Sequence, residues 1–174
     1  GLDFACFVLV EKVDLVALFK RRCQQYRVPI ANQRGWADLH LKAKMAEYFA
    51  EAEDRGQTPV LLYCGDHDPA GLLISDTLRD NLADMVGATG WRPDNLIVDR
   101  FGLNADFIRE HRLSWIEGLE TSSGSDLGDP GHRFANASHV RQYIEQYGRR
   151  KVEANALVVR PHAADKLIPN QIPK

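Results

Sequence analysis

The chain has 174 residues, 44% hydrophobic and 26% charged, the range of an ordinary globular domain. Its 22 Lys and Arg stand against 24 Asp and Glu, a formal net charge of −2, which excludes a simple polycationic nucleic-acid binder. The composition also excludes collagen-like and wholly disordered chains, and no apolar run approaches the ~20 residues needed to cross a bilayer.

Residues 4–10 (Phe-Ala-Cys-Phe-Val-Leu-Val) are continuously apolar, the pattern of a strand buried on both faces. Residues 13–26 predict an amphipathic helix, with Val13, Val16, Ala17 and Phe19 apolar and Lys20, Arg21 and Arg22 solvated. A short strand over 28–31, a turn over 32–35 and a long helix over 37–53 follow, with Asp38 as a capping residue. Residues 59–64 (Pro-Val-Leu-Leu-Tyr-Cys) repeat the buried-strand pattern and run into Gly65-Asp66-His67-Asp68-Pro69-Ala70-Gly71. Pro69 suits the first turn of a helix reaching about residue 85. A strand over 95–100 and a short helix over 104–111, capped by Asn104, come next. Residues 114–136 are dense in Gly, Ser and Asp and read as a loop. A helix over 138–147, the basic run Arg149-Arg150-Lys151, a segment over 152–159 and a short helix after Pro161 close the chain.

This alternation predicts an α/β fold: a mostly parallel sheet of about four strands flanked by helices, with a small C-terminal extension. Residues 1–113 are the expected core, 114–136 the loop, and 137–174 an extension completing the same domain. Gly1-Leu2-Asp3-Phe4 carries no charged leader, which argues against a signal peptide, and the missing initiator Met suggests a piece of a longer protein. Cys6, Cys23 and Cys64 are odd in number and lack a CxxC pair. They predict neither a disulfide scaffold nor a structural zinc site, and a reducing, cytoplasmic setting.

Ligands of parallel sheets bind at the carboxyl ends of the strands. Glu11, Asp66 and Asp68 fall there, on two strands. Hard divalent cations take oxygen ligands, usually a few carboxylates plus water, and a metal so held can orient a phosphodiester. Gly65 and Gly71 permit close backbone approach, and Pro69 stiffens the turn. The plainer reading is that Asp68 caps the helix beginning at Pro69. His67 is expected to point away from a magnesium site, because imidazole suits softer metals; joined to the aspartates it would make a transition-metal site instead. His40, His111, His132, His139 and His162 read as surface or capping residues.

Three segments in this order carry a family likeness: Val10-Glu11-Lys12, Gly35-Trp36-Ala37-Asp38 and Asp66-His67-Asp68-Pro69-Ala70-Gly71. They resemble the VEK, GxxD and DxDPxG motifs of the Toprim domain, in the version of the topoisomerase VI A subunit and the related meiotic double-strand-break protein. Arg100-Phe101-Gly102-Leu103 resembles the family's RxGL segment. Residues 152–157 resemble its ELEAL segment, with Asn155 where the family has a carboxylate. The likeness spans about residues 5–168.

The resemblance implies a Toprim, Rossmann-like fold and a magnesium site, open to manganese, built from Glu11, Asp66 and Asp68 as ligands and catalytic residues. Glu11 would be a ligand or the general acid/base for the 3′-oxygen. The implied activity is phosphodiester cleavage or strand passage on DNA. In the topoisomerase branch a tyrosine from a preceding winged-helix domain attacks; related Toprim nucleases use metal-activated water. Tyr26, Tyr48, Tyr63, Tyr143 and Tyr147 read as packing residues, none beside the carboxylates by motif. The resemblance further implies a homodimer, a nucleoid-associated location, and an ATPase partner subunit or an SMC-type complex.

Candidate nucleic-acid contacts are Lys12, Gly35, Arg100, Arg149, Arg150 and Lys151. Each has a plainer reading: a solvated helix start for Lys12, a turn glycine for Gly35, a salt bridge to Asp99 or a helix carboxylate for Arg100, and a solvated turn for the basic run. Two rival functions stand beside the Toprim reading: a magnesium-dependent small-phosphate enzyme of doubly wound fold, and a non-catalytic DNA-bridging or dimerisation module. The charge is uneven, with 13 acidic against 6 basic residues over 61–140 and 3 against 7 over 141–174. Much of any DNA affinity is therefore expected from bound metal, a partner subunit or a further domain.

Overall fold

The computed structural model describes residues 3–121 and 123–172. Gly1, Leu2, Ser122, Pro173 and Lys174, which fall within the leader, loop and C-terminal readings above, lie outside the described residues. The chain runs β1 (Phe4–Val10), α1 (Val13–Gln25), β2 (Ile30–Asn32), α2 (Leu39–Asp54), β3 (Thr58–Cys64), α3 (Pro69–Ala83), α4 (Val86–Thr89) and β4 (Ile97–Arg100). It continues through α5 (Ala105–Glu110), β5 (Ile116–Glu117), α6 (Ser138–Tyr147), β6 (Arg150–Lys151), α7 (Asn155–Val158), α8 (Pro161–Ala164) and α9 (Leu167–Gln171).

The first four strands form one sheet in the order β2-β1-β3-β4, every neighbour parallel. This is the α/β architecture with a four-stranded parallel sheet flanked by helices that the apolar runs predict. Strands β1 and β3 lie at its centre, in register from Phe4 opposite Thr58 to Val10 opposite Cys64. Their continuous apolar character follows from two buried faces. Cys6, Val8 and Val10, with Val60, Leu62 and Cys64, meet Leu15, Phe19 and Cys23 of α1 on one face. Phe7, Leu9, Leu61 and Tyr63 meet Met45 and Phe49 of α2 and Leu78 and Leu82 of α3 on the other. The pleat sends alternate residues to opposite layers.

The far end of the chain shares the first layer. Leu157, Ala164 and Ile168 pack in the same cluster as α1 and β3. Asp165 pairs with Arg22 and Arg21 of α1 and ties this segment down.

Several boundaries differ from the sequence reading, each for a local reason. The last sheet strand starts at Ile97 because Pro93–Asn95 form a 3-10 turn. Asp38 does cap α2, accepting from the His40 N–H at 2.9 Å. Asn104 does not cap α5 with its side chain; its amide donates to the Arg100 carbonyl instead. The Gly/Ser/Asp-rich segment is organised: β5 pairs antiparallel with β6, and Asp126 Oδ1 accepts from the N–H groups of Leu119 and Gly128. All three cysteines are free and buried, and burial pushes the Cys64 thiol up to about 12, so none is poised as a thiolate. Among the described residues no helix is long and apolar enough to cross a membrane.

Candidate metal centre at the carboxyl ends of the central strands

The crossover leaving β1 packs on one face of the sheet and the helix leaving β3 packs on the other. The gap between their carboxyl ends is the switch point where open α/β sheets bind ligands. Glu11 follows β1 directly, and its N–H donates to the Cys64 carbonyl at the end of β3 (3.0 Å). Asp66 and Asp68 follow β3. The strand order thus brings together the three carboxylates singled out in the sequence, and all three line one cavity of about 490 Å³.

Each carboxylate has one oxygen fixed by a backbone amide. Glu11 Oε2 accepts from the Asp66 N–H at 2.7 Å, Asp66 Oδ1 from the Ala154 N–H at 2.6 Å, and Asp68 Oδ1 from the Gly71 N–H at 2.6 Å. The second oxygens are differently placed. Glu11 Oε1 and Asp68 Oδ2 have no hydrogen-bond or ion-pair partner among the described residues, and Asp66 Oδ2 faces only the Lys12 ammonium at 3.8 Å. Asp68 is therefore both the helix cap of the plain reading and a cavity carboxylate. Among the described residues no group of three or more His, Cys, Asp or Glu is placed to hold a metal ion as it stands. The arrangement is an open carboxylate edge.

The acidic turn is held from beneath by Arg100. Its guanidinium donates to the carbonyls of Gly71 (2.8 Å), Gly65 (2.9 Å) and Asp66 (2.7 Å). The arginine read as a phosphate contact is thus committed to backbone carbonyls, and it makes no ion pair with Asp99, whose carboxylate instead accepts from the Arg100 backbone N–H. From the side, His67 pairs with Val152 through two backbone hydrogen bonds, 2.8 and 3.1 Å. Its ring turns away from the cavity, as expected. It lies 3.1 Å from the Tyr143 hydroxyl, among the rings of Trp115, Tyr143 and Tyr147. Burial and the nearby Arg100 charge lower its pKa to about 4, so it stays neutral.

The remaining candidates divide. Lys12 and Lys151 line the cavity; Lys151 also reaches Glu153 at 3.2 Å and the Glu120 carbonyl at 3.1 Å. Arg150 lies over the Trp115 ring, 4.3 Å from its centroid, and donates to the Tyr147 carbonyl. Arg149 is exposed and Gly35 sits in the 3-10 turn after β2; neither is among the described residues lining the cavity. Two further carboxylates line the cavity: Glu153, read from the sequence as structural, and Glu120, which the sequence reading missed. One tyrosine also departs from it: the Tyr63 hydroxyl and Glu11 Oε2 lie 2.5 and 2.9 Å from where a Gly65 Cβ would stand, so Tyr63 is beside a carboxylate after all. It is 2% exposed, donates to Gln33 at 2.9 Å, and is pushed far above the ordinary phenol range by burial and by Glu11, so it is no accessible nucleophile.

Burial first, then the Asp66 carboxylate, push Glu11 up to about 7. Asp68 is also raised by burial, against the pull of its bond from the Gly71 N–H. A raised acid means that the folded chain holds a proton the unfolded chain has lost. Glu11's contribution is therefore fully present below its unfolded value of about 4.5 and is lost as pH rises through about 7. Glu11→Gln keeps an acceptor for the Asp66 N–H and removes the charge. In metal-free buffer it is expected to be more stable than the wild type at pH 8, by roughly 1–2 kcal/mol after allowing for solvent screening, and equally stable near pH 4. Urea denaturation across that range measures the difference.

Comparison with protein-family models, with curated proteins and with solved structures finds no match to this chain.

Proposed function

We propose that this chain is the metal-binding module of a Toprim-type enzyme performing magnesium-dependent phosphodiester chemistry on DNA, as a topoisomerase VI A-like protein or a Toprim nuclease. The observation that carries the reading is the paired state of the carboxylates. Glu11, Asp66 and Asp68 border one cavity at the switch point, each anchored through one oxygen by a backbone amide. Anchoring fixes the side chains before a cation arrives, which lowers the ordering cost of binding. Lys12 beside Asp66 Oδ2 marks where positive charge is already favoured.

Glu11, Asp66 and Asp68 would hold magnesium, with manganese as a substitute; bound there, the metal would offset charge on a phosphodiester oxygen. The chain's own residues supply the rest. Lys12 and Lys151 on the cavity wall suit phosphate oxygens. Where Glu11 stays off the metal, burial and the Asp66 carboxylate, which raise its pKa to about 7 in the metal-free chain, suit it instead to proton transfer to a leaving 3′-oxygen. The nucleophile is brought to the cavity as water or as a tyrosine of another domain. The same reading includes a homodimer, so that two copies address two strands, and an ATPase partner or SMC-type complex.

The test is cleavage or relaxation of supercoiled plasmid by the full-length protein with magnesium. Asp66→Asn keeps an oxygen for the Ala154 N–H and removes the charge. It is expected to lower the rate by about 10²-fold or more. Equal rates for Asp66→Asn and wild type would overturn the assignment.

A further inference from the structure

Beside the acidic cavity lies a second, smaller recess between α3 and α6, about 180 Å³. His139, Gln142, Gln146 and Tyr147 recur along one face of α6 and line it, opposite Pro69 and Leu73 of α3. Pro69 also borders the acidic cavity, so the two recesses meet across the first turn of α3. Their chemistry is opposite. The first is lined by five carboxylates and two lysines, whereas no Asp, Glu, Lys or Arg lines the second among the described residues.

We infer that this recess is a stacking subsite for one nucleobase of the strand whose phosphate enters the acidic cavity, an inference that rests on the phosphodiester reading of that cavity. A lining of rings, amides and aliphatic side chains, without a carboxylate, lysine or arginine among the described residues, suits a planar, uncharged heterocycle. The volume is below the ~300 Å³ of sites for drug-sized ligands, which fits a base better than a whole nucleotide. Tyr147 is braced in advance by ring contacts to His67 (4.5 Å) and Tyr143 (5.0 Å), so little side-chain freedom remains to be lost on stacking. His67 lies between Asp66 and Asp68, so the stacking platform stands one ring from the acidic turn. Gln142 and Gln146 are exposed and offer both amide donors and carbonyl acceptors to a base edge. Stacking accepts any base, so weak sequence preference is expected.

The test compares a fluorescent oligothymidylate with an abasic strand of equal length, in the full-length protein, with magnesium and with EDTA. Tyr147→Ala would disturb the ring cluster, so the variant is His139→Ala with Gln146→Ala, checked by thermal melting. The intact strand is expected to bind about 5- to 100-fold more tightly than the abasic one. In the double variant that difference narrows, because the recess wall and a base-edge amide are lost while Tyr147 stays, and abasic binding and the magnesium-induced thermal shift are unchanged. Equal affinity for the two strands overturns the subsite, as does equal weakening of both in the variant, or no binding of either. Plasmid cleavage without base dependence removes the subsite and leaves the phosphodiester reading standing. Base-dependent binding without cleavage supports the subsite and removes that reading.

Discussion

Arg100→Met is expected to destabilise the protein by about 3–5 kcal/mol and to abolish any stabilisation by magnesium. The side chain is half-buried, and its fork reaches three carbonyls at 2.7–2.9 Å. A hydrogen bond to a charged group contributes roughly 1.5–3 kcal/mol, and the three share one anchor, so their losses do not simply add. Methionine matches the stem but removes the side-chain donor from the carbonyls of Gly65, Asp66 and Gly71. Those carbonyls belong to the turn that carries Asp66 and Asp68. Arg100→Lys should recover little, because one ammonium does not reproduce the planar fork. The guanidinium also lowers the pKa of Asp68 against burial, so its loss drives that carboxyl further towards its neutral form. Urea denaturation reads the first effect, and thermal melting with and without magnesium the second. A variant as stable as wild type that still responds to magnesium would show that the turn holds itself.

The parts of the site that are local in sequence were legible there. Two apolar runs gave β1 and β3 because burial on both faces removes the polar alternation of an ordinary strand. Asp66 and Asp68 stood out because a turn, a helix cap and a proline at the first helical position lie within six residues. What was not legible depends on pairing across the chain. Asp66 is fixed by the amide of Ala154, 88 residues away. Glu120 and Glu153 reach the cavity wall beside a two-residue antiparallel pairing of Ile116 and Glu117 with Lys151 and Arg150, too short to leave a period in the sequence. The Gly/Ser/Asp-rich composition of 114–136 marks turns correctly but says nothing of the wall they build. Arg100 was read as a phosphate contact or a salt-bridge partner because it ends a strand; the backbone carbonyls it reaches are advertised by no residue pattern.

Gly71→Ala tests the last glycine of the DxDPxG-like segment, and the ordinary helix rule gives it the wrong sign. Gly71 lies in the first turn of α3, and glycine within a helix is about 1 kcal/mol less favourable than alanine, so the exchange should stabilise if only propensity counted. Space decides otherwise. A Cβ at Gly71 would stand 2.1 Å from the Asp66 carbonyl oxygen and 3.0 Å from Asp68 Oδ1. The first neighbour is backbone, held in place by Arg100 and by the pairing of His67 with Val152, so it cannot move aside alone. Relief requires the Asp66 peptide to shift, which breaks the Arg100 contact and the Asp68–Gly71 cap together. The expected cost is about 2–4 kcal/mol, from overpacking and the lost cap. Gly87 in α4 is the control: nothing lies within 4 Å of its Cβ position, so Gly87→Ala should be neutral or slightly stabilising. If the two variants unfold at the same urea concentration, the close approach at Gly71 is not what shapes the acidic turn. If Gly71→Ala alone falls, and the folded fraction no longer responds to magnesium, then one missing methyl group is what lets Asp66 and Asp68 share an edge.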